Sequence, residues 1–361
     1  MTNPHRHLLA ALAVSTALAV AVCLLYVSSR SGPGPRDPAW TGATMGTTYS
    51  IRLAGSALTR SQLVDLRAEV DRALAEVNRQ MSHYDPDSEL SRFNRSRSTA
   101  PFAVSAPFAS VVRFAVELHR RSGGLFDPTL GPLINLWGFG PAGRIENPPT
   151  PEQVRSTLRT VGGRHLSVPS DTEIGKDIPE LQLNLSAVAK GYGVDEAARV
   201  IRARGLANVF VEIGGEVATF GHNAVGGKWR VGVETPDPRA IPGESLEAVL
   251  ELSDLAVATS GDYRNFFEDA QGRRYAHILN PHTGYPAKHN LASVSVVASS
   301  CLVADGLATT LFVMGAEEGM EWLKGQPGAE ALFIVRHPDG TFAQLASPGF
   351  EKLTGYRVPP E

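Results

Sequence analysis

The stretch "LQLNLSAVAKGYGVDEAARVIRARGLANVFVEIGG", residues 181–215, decides the fold class. "LQLNL" reads as a strand, Ser186–Gly205 as a helix and "ANVFVEIGG" as a second strand. Repeated along the chain, this unit would build a doubly wound parallel sheet. It does not repeat. Several short strands follow up to about residue 298, then a helix over "CLVADGLATTLF" (301–312), another helix and a terminal hairpin. Upstream, "TMGTTYSIRLAG" (44–55) reads as a strand with Gly46 at a turn or bulge. Leu63, Leu66, Val70, Leu74, Val77 and Met81 recur at three- and four-residue spacing, which predicts an amphipathic helix. A second helix is expected over 107–121, and the Gly- and Pro-rich 123–143 reads as a binding loop. Strands and helices mixed without regular alternation specify an α+β fold.

Composition narrows the function. With 43% hydrophobic and 20% charged residues and a net charge of -3, the 361-residue chain has an ordinary globular make-up and no basic footprint for nucleic acid. Leu8–Val27 runs without a charge, about the length that crosses a bilayer, and "SSRSGPGPRDP" after it is linker-like. The expected organisation is an N-terminal hydrophobic helix serving as anchor or signal segment (1–30), a linker (31–40) and one domain (41–361). Of the two cysteines, Cys23 lies in the apolar run, so the domain holds only Cys301 and no intrachain disulfide.

Chemistry is concentrated in a few places. Asp305 falls inside an apolar helix with no Lys or Arg within a turn, and a buried carboxylate needs a cation, a metal or dense hydrogen bonding. Thr309, four residues on, shares its face, and a carboxylate with a hydroxyl suits Mg²⁺ when phosphate and water complete the shell. The alternative is that Asp305 caps a neighbouring backbone. In "NLSAVAKGYGVD", Ser186 is a candidate cap for a helix whose N-terminus and Lys190 suit a phosphate. Gly191 and Gly193 each cost about 1 kcal/mol relative to Ala within a helix, so a close approach by backbone or ligand is expected there. Gly214–Gly215, between Glu212 and Glu216, reads as a bulge or a ligand contact. His277, at a strand end, is a candidate general base.

In order, "TMGTTYS", "MSHYDPDSELSRFN", "FDPTLGPLINLWGFG", "NLSAVAKGYGVDEAA", "VEIGGEV", "TSGDYRNFFED", "YAHILNPHTGYP" and "SVSVVASSCLVADGLATTLFVMG" resemble the motifs of the ApbE family, the FAD:protein FMN transferases. The resemblance implies an ApbE-like α+β fold that uses FAD as substrate and Mg²⁺ as cofactor. It implies transfer of FMN to a Thr or Ser hydroxyl of a partner protein through a phosphoester, with release of AMP. It places Mg²⁺ on Asp305, Thr309 and the carbonyl of Ala187, and flavin contacts on Met45, Tyr84, Trp137, Gly138, Phe139, Asn184, Lys190 and Leu279. His277 falls on the proposed base. Asn184 and Asn280 stand where the family usually has Asp, keeping an acceptor oxygen and losing a charge. Export is typical of the family, which implies an anchored catalytic domain outside the cytoplasmic membrane. Its partners there would be FMN-binding domains of electron-transport flavoproteins. Two rivals are a Mg²⁺-dependent FAD pyrophosphatase giving FMN and AMP, and a flavin-binding lipoprotein.

Overall fold

The structure is a computed structural model that describes residues 37–360, apart from Ala142 and Pro242. The expected N-terminal helix and most of the linker lie outside the described residues. Among the described residues no helix is long and apolar enough to cross a membrane.

The fold is α+β, as the irregular order of elements requires. Eight strands form one sheet: Ala39–Thr44, Thr47–Leu53, Val209–Ile213, Glu216–Phe220, Leu255–Gly261, Leu291–Ala298, Glu330–Arg336 and Phe342–Ala346. They lie side by side in chain order, every neighbouring pair antiparallel. The first of them went unread in the sequence; Met45 and Gly46, both at positive φ, turn it back into the expected strand.

The period of two sorts side chains onto two faces. Tyr49, Ile51 and Leu53 join Val209, Val211 and Ile213 under the long helix Arg60–Met81 and the helix Ala189–Ala203. On the opposite face, Val217, Val257, Val297 and Leu332 pack against a separate hairpin, Trp229–Glu234 with Leu246–Leu252. Leu291–Ala298 is buried along its whole length because both layers cover it. The helix Cys301–Met314 is inserted into the larger core with Ala304, Leu307, Ala308, Leu311 and Phe312. The helix Ala106–Arg121 matches the expectation almost to the residue.

Two local expectations are corrected, and a third is narrowed. "LQLNL" joins no strand; Leu183 instead exchanges hydrogen bonds with the Asn94 side chain (2.7 and 2.9 Å), and Asn184 N–H donates to the Pro128 carbonyl at 2.8 Å. A side chain and a loop satisfy this backbone where a ladder would have. The segment 123–143 contains a short helix, Gly131–Leu136, started by Pro132 in its first turn, where the missing N–H costs nothing. The Gly214–Gly215 pair is a two-residue hairpin turn with both φ positive, a conformation open to glycine.

Candidate functional site

The helices Ala189–Ala203 and Cys301–Met314 meet at their N-termini. Each caps the other. Asp195 accepts from the Ser300 hydroxyl (2.8 Å) and from the Cys301 and Leu302 N–H groups (both 2.9 Å), while Asp305 Oδ2 accepts from Gly191 N–H at 2.9 Å. A Cβ on Gly191 would lie 2.3 Å from the Cys301 carbonyl oxygen, so only glycine allows this approach. That is the close backbone contact expected of Gly191; Gly193 leaves room for the Met45 side chain. Ser186 does not cap, because the helix begins at Ala189 with Val188 as its N-cap residue, and Ser186 donates its N–H to Asn184 Oδ1 (2.9 Å). Asp305 therefore takes the capping position that Ser186 leaves.

Asp305 is 4% exposed. A cation acts on it from across the helix pair: Lys190, ion-paired with the buried Glu216, also pulls on Asp305. Burial pushes the Asp305 carboxyl up to about 8; Lys190 opposes this and Glu216 adds to it. Burial works against the Lys190 charge, but the two carboxylates outweigh it and raise its pKa. Glu216 Oε2 is buried with no hydrogen-bond partner. Glu212, whose Oε1 accepts from Gly215 N–H at 2.8 Å, is pushed up to about 7 by burial.

The chemistry of these donors fits a hard divalent cation. Asp305 offers a carboxylate held by one backbone N–H, and Thr309 Oγ1 lies one turn further, 3.3 Å from Ser260 Oγ. Gly191, four residues beyond Ala187, gives its N–H to Asp305, so the Ala187 carbonyl lacks that helical partner. Among the described residues no group of three or more His, Cys, Asp or Glu gathers as a metal cluster. A carboxylate, a hydroxyl and a carbonyl with room for phosphate is a Mg²⁺ type of set.

Asp305, Thr309, Ala187, Lys190, Glu212 and Glu216 line one cleft of about 2560 Å³, as do Met45, Tyr84, Phe139, Asn184, His277 and Leu279. Tyr84 is 67% exposed at its mouth. Trp137 and Gly138 are not on its wall. Trp137 is fully buried, donates Nε1–H to the Gly284 carbonyl at 2.8 Å, and supports Tyr275 at 5.4 Å between ring centroids. A Cβ on Gly138 would lie 2.8 Å from the Ile145 nitrogen. These two hold up the loop that presents Phe139, which meets the His277 ring edge-on at 6.3 Å.

His277 Nδ1 is 3.2 Å from the Asn265 carbonyl oxygen. A carbonyl only accepts, so Nδ1 carries the proton and Nε2 keeps a free lone pair. Burial pushes the imidazole down to about 4, which leaves it neutral at physiological pH. Asn280 is a turn residue, its Oδ1 accepting from His282 N–H (2.9 Å) and Thr283 N–H (3.2 Å).

Fold and cleft together define an α+β protein with carboxylate, ammonium, hydroxyl and neutral imidazole groups converging at strand ends. The sequence model of the ApbE family matches residues 45–333. The chain belongs to the ApbE family, and with it to the transferases. It is 45% identical over 314 residues to an FAD:protein FMN transferase of Vibrio cholerae, covering 86% of this chain and 91% of that protein. It is 37% identical over 348 residues to that of Haemophilus influenzae, covering 95% and 96%. Among solved structures, the flavin transferase ApbE from Vibrio cholerae superposes with a TM-score of 0.79 at 43% identity, covering 88% of this chain and 99% of that one. The apo flavinyl transferase ApbE of Pseudomonas stutzeri gives 0.79 at 37%, covering 90% and 98%.

Proposed function

We propose that the chain transfers FMN from FAD to a Thr or Ser hydroxyl of a partner flavoprotein, forming a phosphoester and releasing AMP, in a Mg²⁺-dependent reaction. The observation that carries this reading is the single cleft that joins Asp305, Thr309 and Ala187 to Lys190 and the neutral His277. Asp305, Thr309 and the Ala187 carbonyl would hold Mg²⁺, which when bound offsets the charge developing on the pyrophosphate. Phe139, Leu279, Met45 and Tyr84 supply apolar and aromatic surface to a planar ring, and Asn184 offers polar contact. Lys190, held by Glu216, directs positive charge to the phosphates. His277 Nε2 takes the proton of the acceptor hydroxyl as its oxygen bonds to the FMN phosphorus and the bond to the AMP oxygen breaks.

The catalytic domain works outside the cytoplasmic membrane, anchored by the apolar run Leu8–Val27, on FMN-binding domains of electron-transport flavoproteins. The test is to incubate the full-length chain with FAD and Mg²⁺, with and without an FMN-binding acceptor domain, and read flavin fluorescence on a denaturing gel. A fluorescent acceptor band that requires Mg²⁺ and vanishes when the acceptor Thr is replaced by Ala is the expected result. Free FMN and AMP without a band would make the protein a pyrophosphatase; intact bound FAD would make it a flavin carrier.

A further inference from the structure

The cleft is larger than one small ligand requires, since pockets for single small molecules run to roughly 300–1,000 Å³. The surplus lies on the hairpin side of the sheet. Its floor includes Ser50 and Phe210, whose side chains point away from the helix layer. Its wall is the strand Trp229–Glu234, all six residues of which line the cleft.

That last fact is informative about geometry. Alternate residues of a strand point to opposite sides, and here Trp229, Val231 and Val233 are buried while Arg230 and Gly232 are exposed. Residues of both faces of the strand border the cleft, with Leu246 and Val249 of the paired strand beside them, so the cleft wraps around the hairpin on the side of Trp229–Glu234. The strand pairs with Leu246–Leu252 along one edge, and among the described residues its other edge pairs with no strand. An open edge is a template for an added strand. Ser260 and His277 line the same cleft.

We infer that this edge binds the acceptor polypeptide, an extended segment adding as a third strand to the hairpin and so delivering its Thr or Ser hydroxyl to the catalytic end. The inference rests on the protein-modifying reading above, because only a polypeptide acceptor needs a groove that reads main chain. Phe210 and Trp229, with ring centroids 5.7 Å apart, give the segment an apolar bed at the far end.

The experiment is hydrogen exchange on the full-length chain with FAD, alone and with an excess of an FMN-accepting flavoprotein domain whose acceptor Thr is replaced by Ala. Amides of Trp229–Glu234 that do not bond to Leu246–Leu252 are expected to slow at least about tenfold, with the interior strand Leu291–Ala298 unchanged. Unchanged exchange along Trp229–Glu234 in an enzyme that transfers FMN to the intact acceptor domain would overturn the groove and leave the transferase standing. Failure of transfer itself would instead refute the reaction. Slow exchange at this edge before any acceptor is added would mean that the chain's own N-terminal segment occupies it, which also overturns the proposal. A second readout is independent of exchange: a photo-crosslinking phenylalanine placed at Arg230 is expected to capture the acceptor domain, whereas one at the exposed Leu345, on the far edge of the sheet, is not. Equal capture at both sites would overturn the inference.

Discussion

Replacing Gly191 by Ala tests whether the packing of two helices sets the catalytic geometry. On propensity alone the change gains about 1 kcal/mol, since Gly is the poorer helix former. The structure reverses the sign. The new methyl would sit 2.3 Å from the Cys301 carbonyl oxygen and 2.8 Å from Asp305 Cβ, well inside the ~3.5 Å of comfortable contact. The first neighbour is backbone and cannot rotate away, so the helices must part, at about 1–3 kcal/mol for overpacking. Parting them also strains or breaks the Gly191 N–H bond to Asp305 Oδ2, which in the protonated, metal-free protein has a net value of about 0.5–1.5 kcal/mol. The net expectation is a loss of about 1–3 kcal/mol, a fall in Tm of roughly 2–5 °C for a domain of this size. Because the hydrogen bond that positions Asp305 is lost with it, the Mg²⁺ concentration giving half-maximal transfer should rise at least about tenfold. Thermal unfolding and a Mg²⁺ titration of FMN transfer measure the two effects. A Gly191→Ala protein as stable as the wild type, with an unshifted Mg²⁺ titration, would refute the reasoning.

Asp305→Ala is expected to abolish Mg²⁺-dependent transfer, while His277→Ala slows it by about 10²–10⁴ and leaves a measurable rate; equal and complete losses would contradict that ranking. Asp195→Asn turns a three-fold acceptor into a group that sets an N–H against donors, so Tm should fall and the half-saturating Mg²⁺ concentration rise, with the maximal rate within a few-fold. In the metal-free protein Asp305 titrates near 8, far above an unfolded carboxylate, so the folded state holds the extra proton and this group's contribution to stability falls as pH rises from about 4 to 8. Mg²⁺ binding should accordingly release a proton at pH 7 and tighten with rising pH, both measurable by calorimetry in buffers of different ionisation enthalpy. His277, pushed down to about 4, keeps its base form in mild acid, so at saturating Mg²⁺ the acid limb of the transfer rate should lie well below the ordinary histidine range near 6.5.

Much of the scaffold was legible because its signals are local. The 3.6-residue spacing from Leu63 to Met81 and the alternation in "TTYSIRL" depend only on neighbours along the chain, and both elements are where the pattern placed them. The fold class followed from element order, and Asp305 stood out as a charge in an apolar helix. What the sequence concealed was partnership across long separations. Lys190 and Glu216 face Asp305 from other elements, and Asp195 reads as an ordinary polar residue of an amphipathic helix until the start of another helix is seen resting on it. "LQLNL" misled because its apolar alternation is real, yet its hydrogen bonds go to the Asn94 side chain and a loop carbonyl. Trp137 shares its loop with Phe139, and spacing alone does not show which aromatic enters the cleft and which supports it.

The order of the eight strands bears on how the molecule comes into being. Most strand pairs join neighbours in the chain, and such pairings close small loops at little entropic cost. Two pairs each skip a hairpin, and a third, Leu53 with Val209, closes across more than 150 residues, at a cost of about 4.5 kcal/mol on loop length alone. Met45 lies before that junction, Ala187 and Lys190 just ahead of its second strand, and Asp305 late in the chain. The cleft is therefore among the last features to exist during synthesis, and a nascent chain has no grip on flavin until the junction closes. Competence to bind FAD, followed over time after dilution from denaturant, thus serves as a clock for the closing of the sheet.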